Sequence, residues 1–140
     1  MVNLLRSKHE ELGFQTNTNV KALSMSLNNE QMEAMVHSFL MVMMADEHEL
    51  NLKMYNYIHE QFDAIGFDIK KQYVHKYASR ADDEAYAVLE QLTVEQKKWF
   101  AIALHDMLYK LGTLPSFKQV EQYNIIRRKS LNTYMQEANY

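Results

Sequence analysis

The stretch Met32-Glu33-Ala34-Met35-Val36-His37-Ser38-Phe39-Leu40-Met41-Val42-Met43 decides the fold class. Met32, Met35, Val36, Phe39, Leu40 and Met43 recur at i, i+3, i+4, i+7, i+8 and i+11, one wide apolar face of an α-helix. Asn28 or Asn29 can cap its first turn with a side-chain oxygen. The polar residues Asp46, Glu47 and His48 follow. Leu50, Met54, Tyr57, Ile58 and Ile65 then carry a second stripe to Gly66, a residue suited to the left-handed position that ends a helix. Met41, Met43 and Met44 cannot all share one face. The run is either a helix buried from both sides or one that a partner covers.

The same period returns downstream. Asp68 is placed to cap a third helix bearing Ile69, Tyr73 and Tyr77. Asp82-Asp83-Glu84 suits the positive end of a fourth, with Ala85, Val88, Leu89 and Leu92 on its stripe. Thr93 and Gln96 form the pattern of a capping box, opening a fifth helix through Phe100, Ala103, Leu104, Met107, Leu108 and Leu111. Gly112 and Pro115 separate it from a last helix over about residues 116–135. Upstream, residues 3–12 form a short helix and 15–19 a polar connector. No stretch reads as a strand. The expectation is an all-α fold, one domain of six to seven helices, with 1–27 as a leading segment and 28–140 as the helical body.

The totals agree with this. A chain of 140 residues can bury roughly 68–70% of its unfolded surface, enough for one core. Three glycines and one proline are too few for the turns of a β-sandwich or barrel. A net charge of −3 gives no general attraction to nucleic acid, and the absence of cysteine excludes thiol chemistry and disulfides. The longest strictly apolar run, residues 39–45, is far short of a membrane span, and residues 1–10 carry no long apolar region. A cytoplasmic protein is expected.

Two helix–turn–helix units look alike. A shift of 66 places sets Met41 over Met107, Ala45 over Leu111, Met54 over Val120 and Tyr57 over Tyr123. An internal repeat and the coincidence of two amphipathic hairpins both account for that.

Met41-Val42-Met43-Met44-Ala45-Asp46-Glu47-His48-Glu49-Leu50, followed by a helix and Ile65-Gly66-Phe67-Asp68, resembles the TerB-like (tellurite-resistance) domain. The order of elements matches over about residues 28–131. That family is all-helical, with two hairpin units, each turning through an Ala-Asp-Gly-acidic motif, and a further acid on each second helix. The resemblance implies a module of stress-response or membrane-associated assemblies that binds metal through those acids. Carboxylate oxygens at Asp46, Glu47 and Glu49 would suit a hard cation, Ca²⁺ or Mg²⁺. With the lack of catalytic groups, the module is expected to be non-enzymatic. Only Ala45-Asp46 fits the motif, with Glu47 and Glu49 as substitute ligands. Glu47 stands where the family has glycine, Lys53 stands near the expected acid, and Leu111-Gly112-Thr113 replaces the second acidic turn.

The residues alone allow plainer readings. Asp46, Glu47 and Glu49 complement the dipole of the next helix without any ion. None of the six histidines completes Glu-x-x-His or His-Glu-x-x-His, and His59 with Asp63 reads as a surface pair at i, i+4. No nucleophile elbow or phosphate loop is present. Arg127-Arg128-Lys129 is the one basic cluster, either a contact for phosphate or an acidic partner, or a solvated helix end. Three functions remain in view. The first is the interaction module, binding another protein, with or without the cation. The second is a small enzyme or small-molecule binder whose inter-helix pocket uses His105, Asp106 and Tyr109. The third is a structural homo-oligomer.

Overall fold

A computed structural model describes residues 26–46, 51–70, 74–112 and 114–131. Among them lie six α-helices and no strand: α1 Asn29–Met43, α2 Leu52–Ala64, α3 Val74–Ala78, α4 Asp82–Glu90, α5 Val94–Tyr109 and α6 Phe117–Ile126. A π-helical turn, Arg127–Leu131, continues α6. The expected helix at 3–12 and the connector at 15–19 lie outside the described residues.

The caps set most of these boundaries. Asn28, Thr93 and Ser116 each accept from the backbone N–H three residues on, while Gln31, Gln96 and Gln119 reach back to the cap backbone. Asn51 caps α2 through the Met54 N–H without a returning side chain. The C-terminus of α2 is a Schellman turn. Gly66, at φ +86°, donates to the Asp63 carbonyl, and Phe67 donates to that of Phe62. The Phe62 and Phe67 rings meet 5.8 Å apart, the apolar contact that accompanies this turn.

The expected third helix is corrected. Residues 67–70 are not helical, so Asp68 does not cap a helix starting beside it; α3 is described from Val74, and Tyr73 is not described. Ile69, in this non-helical stretch, enters the core at 2% exposure. The last helix also differs, switching to π geometry at Arg127. The wider turn sets Ser130 against the Tyr86 carbonyl of α4 and buries Leu131 completely.

α1 lies at the centre. α3, α4, α6 and α2 all pack on it, so 10 of its 15 residues are buried. Met43 is buried, and Met41 and Met44 pack partly buried against the core, as expected of a helix covered from both sides. Phe39 stands edge-on to Phe62 and Phe100, at 5.7 and 5.1 Å, and Phe62 meets Trp99 at 5.7 Å. These perpendicular pairs knit α1, α2 and α5 together.

The two hairpins α1–α2 and α5–α6 correspond, but at a shift of 65 rather than 66. Thr93 stands 65 places after Asn28, and Ser116 stands 65 after Asn51. Buried Ala34, Phe39, Val42 and Met43 then fall over buried Trp99, Leu104, Met107 and Leu108. The hairpins also clasp each other. Gln119 of α6 donates to the Met43 carbonyl ending α1 (3.1 Å), and Lys53 of α2 donates to the Leu111 carbonyl beyond α5 (3.3 Å).

Candidate functional site

One turn of α5 carries His105, Asp106 and Tyr109. His105 and Tyr109, four residues apart, share a face, and their rings lie 4.8 Å apart. Asp106 points inward at 6% exposure, with His105 Nδ1 and Lys110 Nζ each 3.7 Å from its Oδ1. α6 brings Tyr123, whose ring lies 6.3 Å from that of His105. α2 brings Tyr57. The sequence-predicted trio therefore gains two tyrosines from two further helices.

The electrostatics of this cluster follow from burial. Tyr57 is held far above the ordinary phenol range, first by burial, then by the charges of Asp106 and Glu60. Tyr123 is pushed up by burial, then by Tyr109 and Asp106, with Arg127 working against the shift. Both stay neutral at physiological pH, as hydrogen-bond donors rather than bases. The Tyr57 and Tyr109 hydroxyls are buried and have no hydrogen-bond partner among the described residues. Each phenol thus keeps an unused donor and acceptor inside the helix packing.

The acidic junction is only partly in view. Asp46 is exposed just past α1, while Glu47 and Glu49 lie outside the described residues. Lys53, near the place of the expected acid, puts its ammonium on the Leu111 carbonyl at the negative end of α5. The opposite junction turns at Gly112, φ +84°, where a Cβ would meet nothing; only the backbone angle favours glycine there. Arg127-Arg128-Lys129 forms the first part of the π turn, with Arg128 and Lys129 exposed.

His37 was not foreseen. It is fully buried on α1, with Nδ1 2.8 Å from the Tyr77 carbonyl and Nε2 2.7 Å from Asp82 Oδ1. A carbonyl can only accept, so Nδ1 donates to Tyr77, and Nε2 faces the Asp82 carboxylate. The ring fastens α1 to the end of α3 and the start of α4. Asp82 is 45 residues away, and no local pattern joins the two.

No protein-family model, curated protein or solved structure matches this chain.

Proposed function

We propose that the chain is a non-enzymatic helical module, similar to TerB-like domains, that docks a protein partner at the end where its hairpins clasp. The observation that carries this is the exposure of large apolar side chains there. Leu52, the first residue of α2, is 59% exposed; Phe117, the first of α6, is 62% exposed; Leu114, between α5 and α6, is 94% exposed. Gln119 reaches Met54 as well as Met43, so the starts of α2 and α6 lie together. Apolar surface gathered at one end of a small domain marks an interaction site more often than scattered residues do. A Ca²⁺ or Mg²⁺ site at Asp46, Glu47 and Glu49 belongs to this reading. A melting temperature unmoved by millimolar Ca²⁺ or Mg²⁺ would remove it, since a ligand of the native state raises stability by mass action.

Site-specific photo-crosslinking in the native host tests the docking end. A photoreactive amino acid in place of Leu114 should give one discrete adduct, and the same group at exposed Glu90 should give none. Equal labelling at both positions, or none at Leu114, refutes the docking end. An adduct of twice the chain's mass assigns the face to a homo-oligomer instead.

The orphan hydroxyls of Tyr57 and Tyr109 favour a second reading, a binder of a small polar molecule beside Asp106 and His105. Its test is whether Tyr57→Phe and Tyr109→Phe abolish chemical-shift changes at His105 in a screen of small polar compounds.

A further inference from the structure

His59 and Asp63 stand one turn apart at the end of α2, and the Schellman turn at Gly66 folds the following chain back beside them. His59 Nδ1 lies 3.1 Å from Asp63 Oδ2, and Nε2 lies 3.8 Å from Asp68 Oδ1. One ligand atom from each residue falls within 4.8 Å of the others. A tetrahedral ion with bonds near 2.1 Å needs ligand atoms about 3.4 Å apart. The two carboxylates meet opposite nitrogens of the ring, and one ion takes only one of them. The Asp63–Nδ1 contact is already that close, so Asp68 has to swing to the same nitrogen. Rotation of two exposed aspartates, at 52% and 69%, can complete the closure.

A separate observation points to the same spot. Tyr55, one turn before His59 on α2, is only 6% exposed, and its ring lies 6.0 Å from the imidazole. Its phenol is pushed above the ordinary value by burial, then by Asp68, then by Asp63. The phenol therefore lies within the field of both carboxylates.

We infer that His59, Asp63 and Asp68 form a binding site for a divalent transition-metal ion, Zn²⁺ in the first place, with the Tyr55 hydroxyl steadying a ligating carboxylate. Imidazole selects Zn²⁺ and its neighbours in the first transition row over Ca²⁺ and Mg²⁺, which take oxygen alone. Two carboxylates balance the charge of the ion. The negative end of α2 adds to the attraction, because the ligands sit on its last turn and just beyond. Three protein ligands leave a position for water. α2, 13 residues long, spans about 20 Å, so this site is far from the exposed residues at its other end. It is also separate from the Asp46 turn, and neither proposal depends on the other.

The competing state is an imidazole hydrogen-bonded between two carboxylates with no ion. Titration of the full chain with Zn²⁺, followed by imidazole ¹⁵N shifts and calorimetry, separates the two. One equivalent should saturate and shift the His59 ring nitrogens. Asp68→Asn and His59→Gln should each lose that binding while the metal-free melt stays in place, and Tyr55→Phe should weaken it about tenfold. An unmoved His59 signal overturns the site. So does unchanged affinity in Asp68→Asn, or equal binding of Ca²⁺ without any imidazole shift.

Discussion

Tyr57 is the residue with the largest consequence for pH. Its phenol titrates higher in the folded protein than in the unfolded chain, because burial and the charge of Asp106 penalise the phenolate. The stability from that difference is fully present below about pH 10, the unfolded value, and is lost as pH rises through it. The unfolding free energy should therefore fall above pH 10, and Tyr57→Phe should flatten that fall while leaving Tyr123, Tyr55, Tyr86 and Tyr109, all raised by burial, to contribute the rest. Near neutral pH the same substitution should be neutral or stabilising by up to about 1–3 kcal/mol, since it removes an unpartnered buried hydroxyl. Urea denaturation between pH 7 and 11 measures both. His105, Asp106 and Tyr109 were legible as a group because one helical turn carries them. Tyr57 was not, because its link to Asp106 runs between helices and leaves no local period.

At the scale of elements, the start of α4 rests on Asp82 for two different things. Its charge complements the helix dipole, and its carboxylate meets buried His37. Asp83→Ala removes the same charge from the same turn and should cost about 0.3–1 kcal/mol. Asp82→Ala should cost about 1–3 kcal/mol more, because His37 Nε2 loses its partner. Equal losses in the two variants, read from urea midpoints, would remove any role for the His37 contact. Helix starts read well from sequence where a cap and its glutamine lie three apart, as at Thr93 and Gln96. They read badly where the capping residue type has another partner. Asp68 has the chemistry of a cap, but its carboxylate turns to His59. The shift of 66 failed for a related reason. An apolar stripe tolerates a slip of one residue when side chains are matched by type, whereas capping hydrogen bonds do not, and they set the shift at 65.

At the scale of the molecule, Gln119 joins the two hairpins. Its Oε1 accepts from the Ser116 N–H inside the capping box, and its Nε2 donates to the Met43 carbonyl at the end of α1. Glutamate serves a capping box as well as glutamine does, but a carboxylate cannot donate. Gln119→Glu should therefore keep the cap and still lose about 1–3 kcal/mol through the unpaired Met43 carbonyl. A variant as stable as the parent in urea would mean the clasp carries nothing. The all-helical class was legible because the stripes at Met32–Met43 and Phe100–Leu111 leave no room for strands. The clasp was not, because both of its acceptors are backbone carbonyls, which no side-chain pattern marks.

Trp99 is the only tryptophan in the chain; it lies 1% exposed on α5, edge-on to Phe62 of α2. The protein thus carries its own fluorophore at the α2–α5 seam. Its emission should be blue-shifted while the seam is shut and move to the red when water enters, so the seam's opening can be timed without a label.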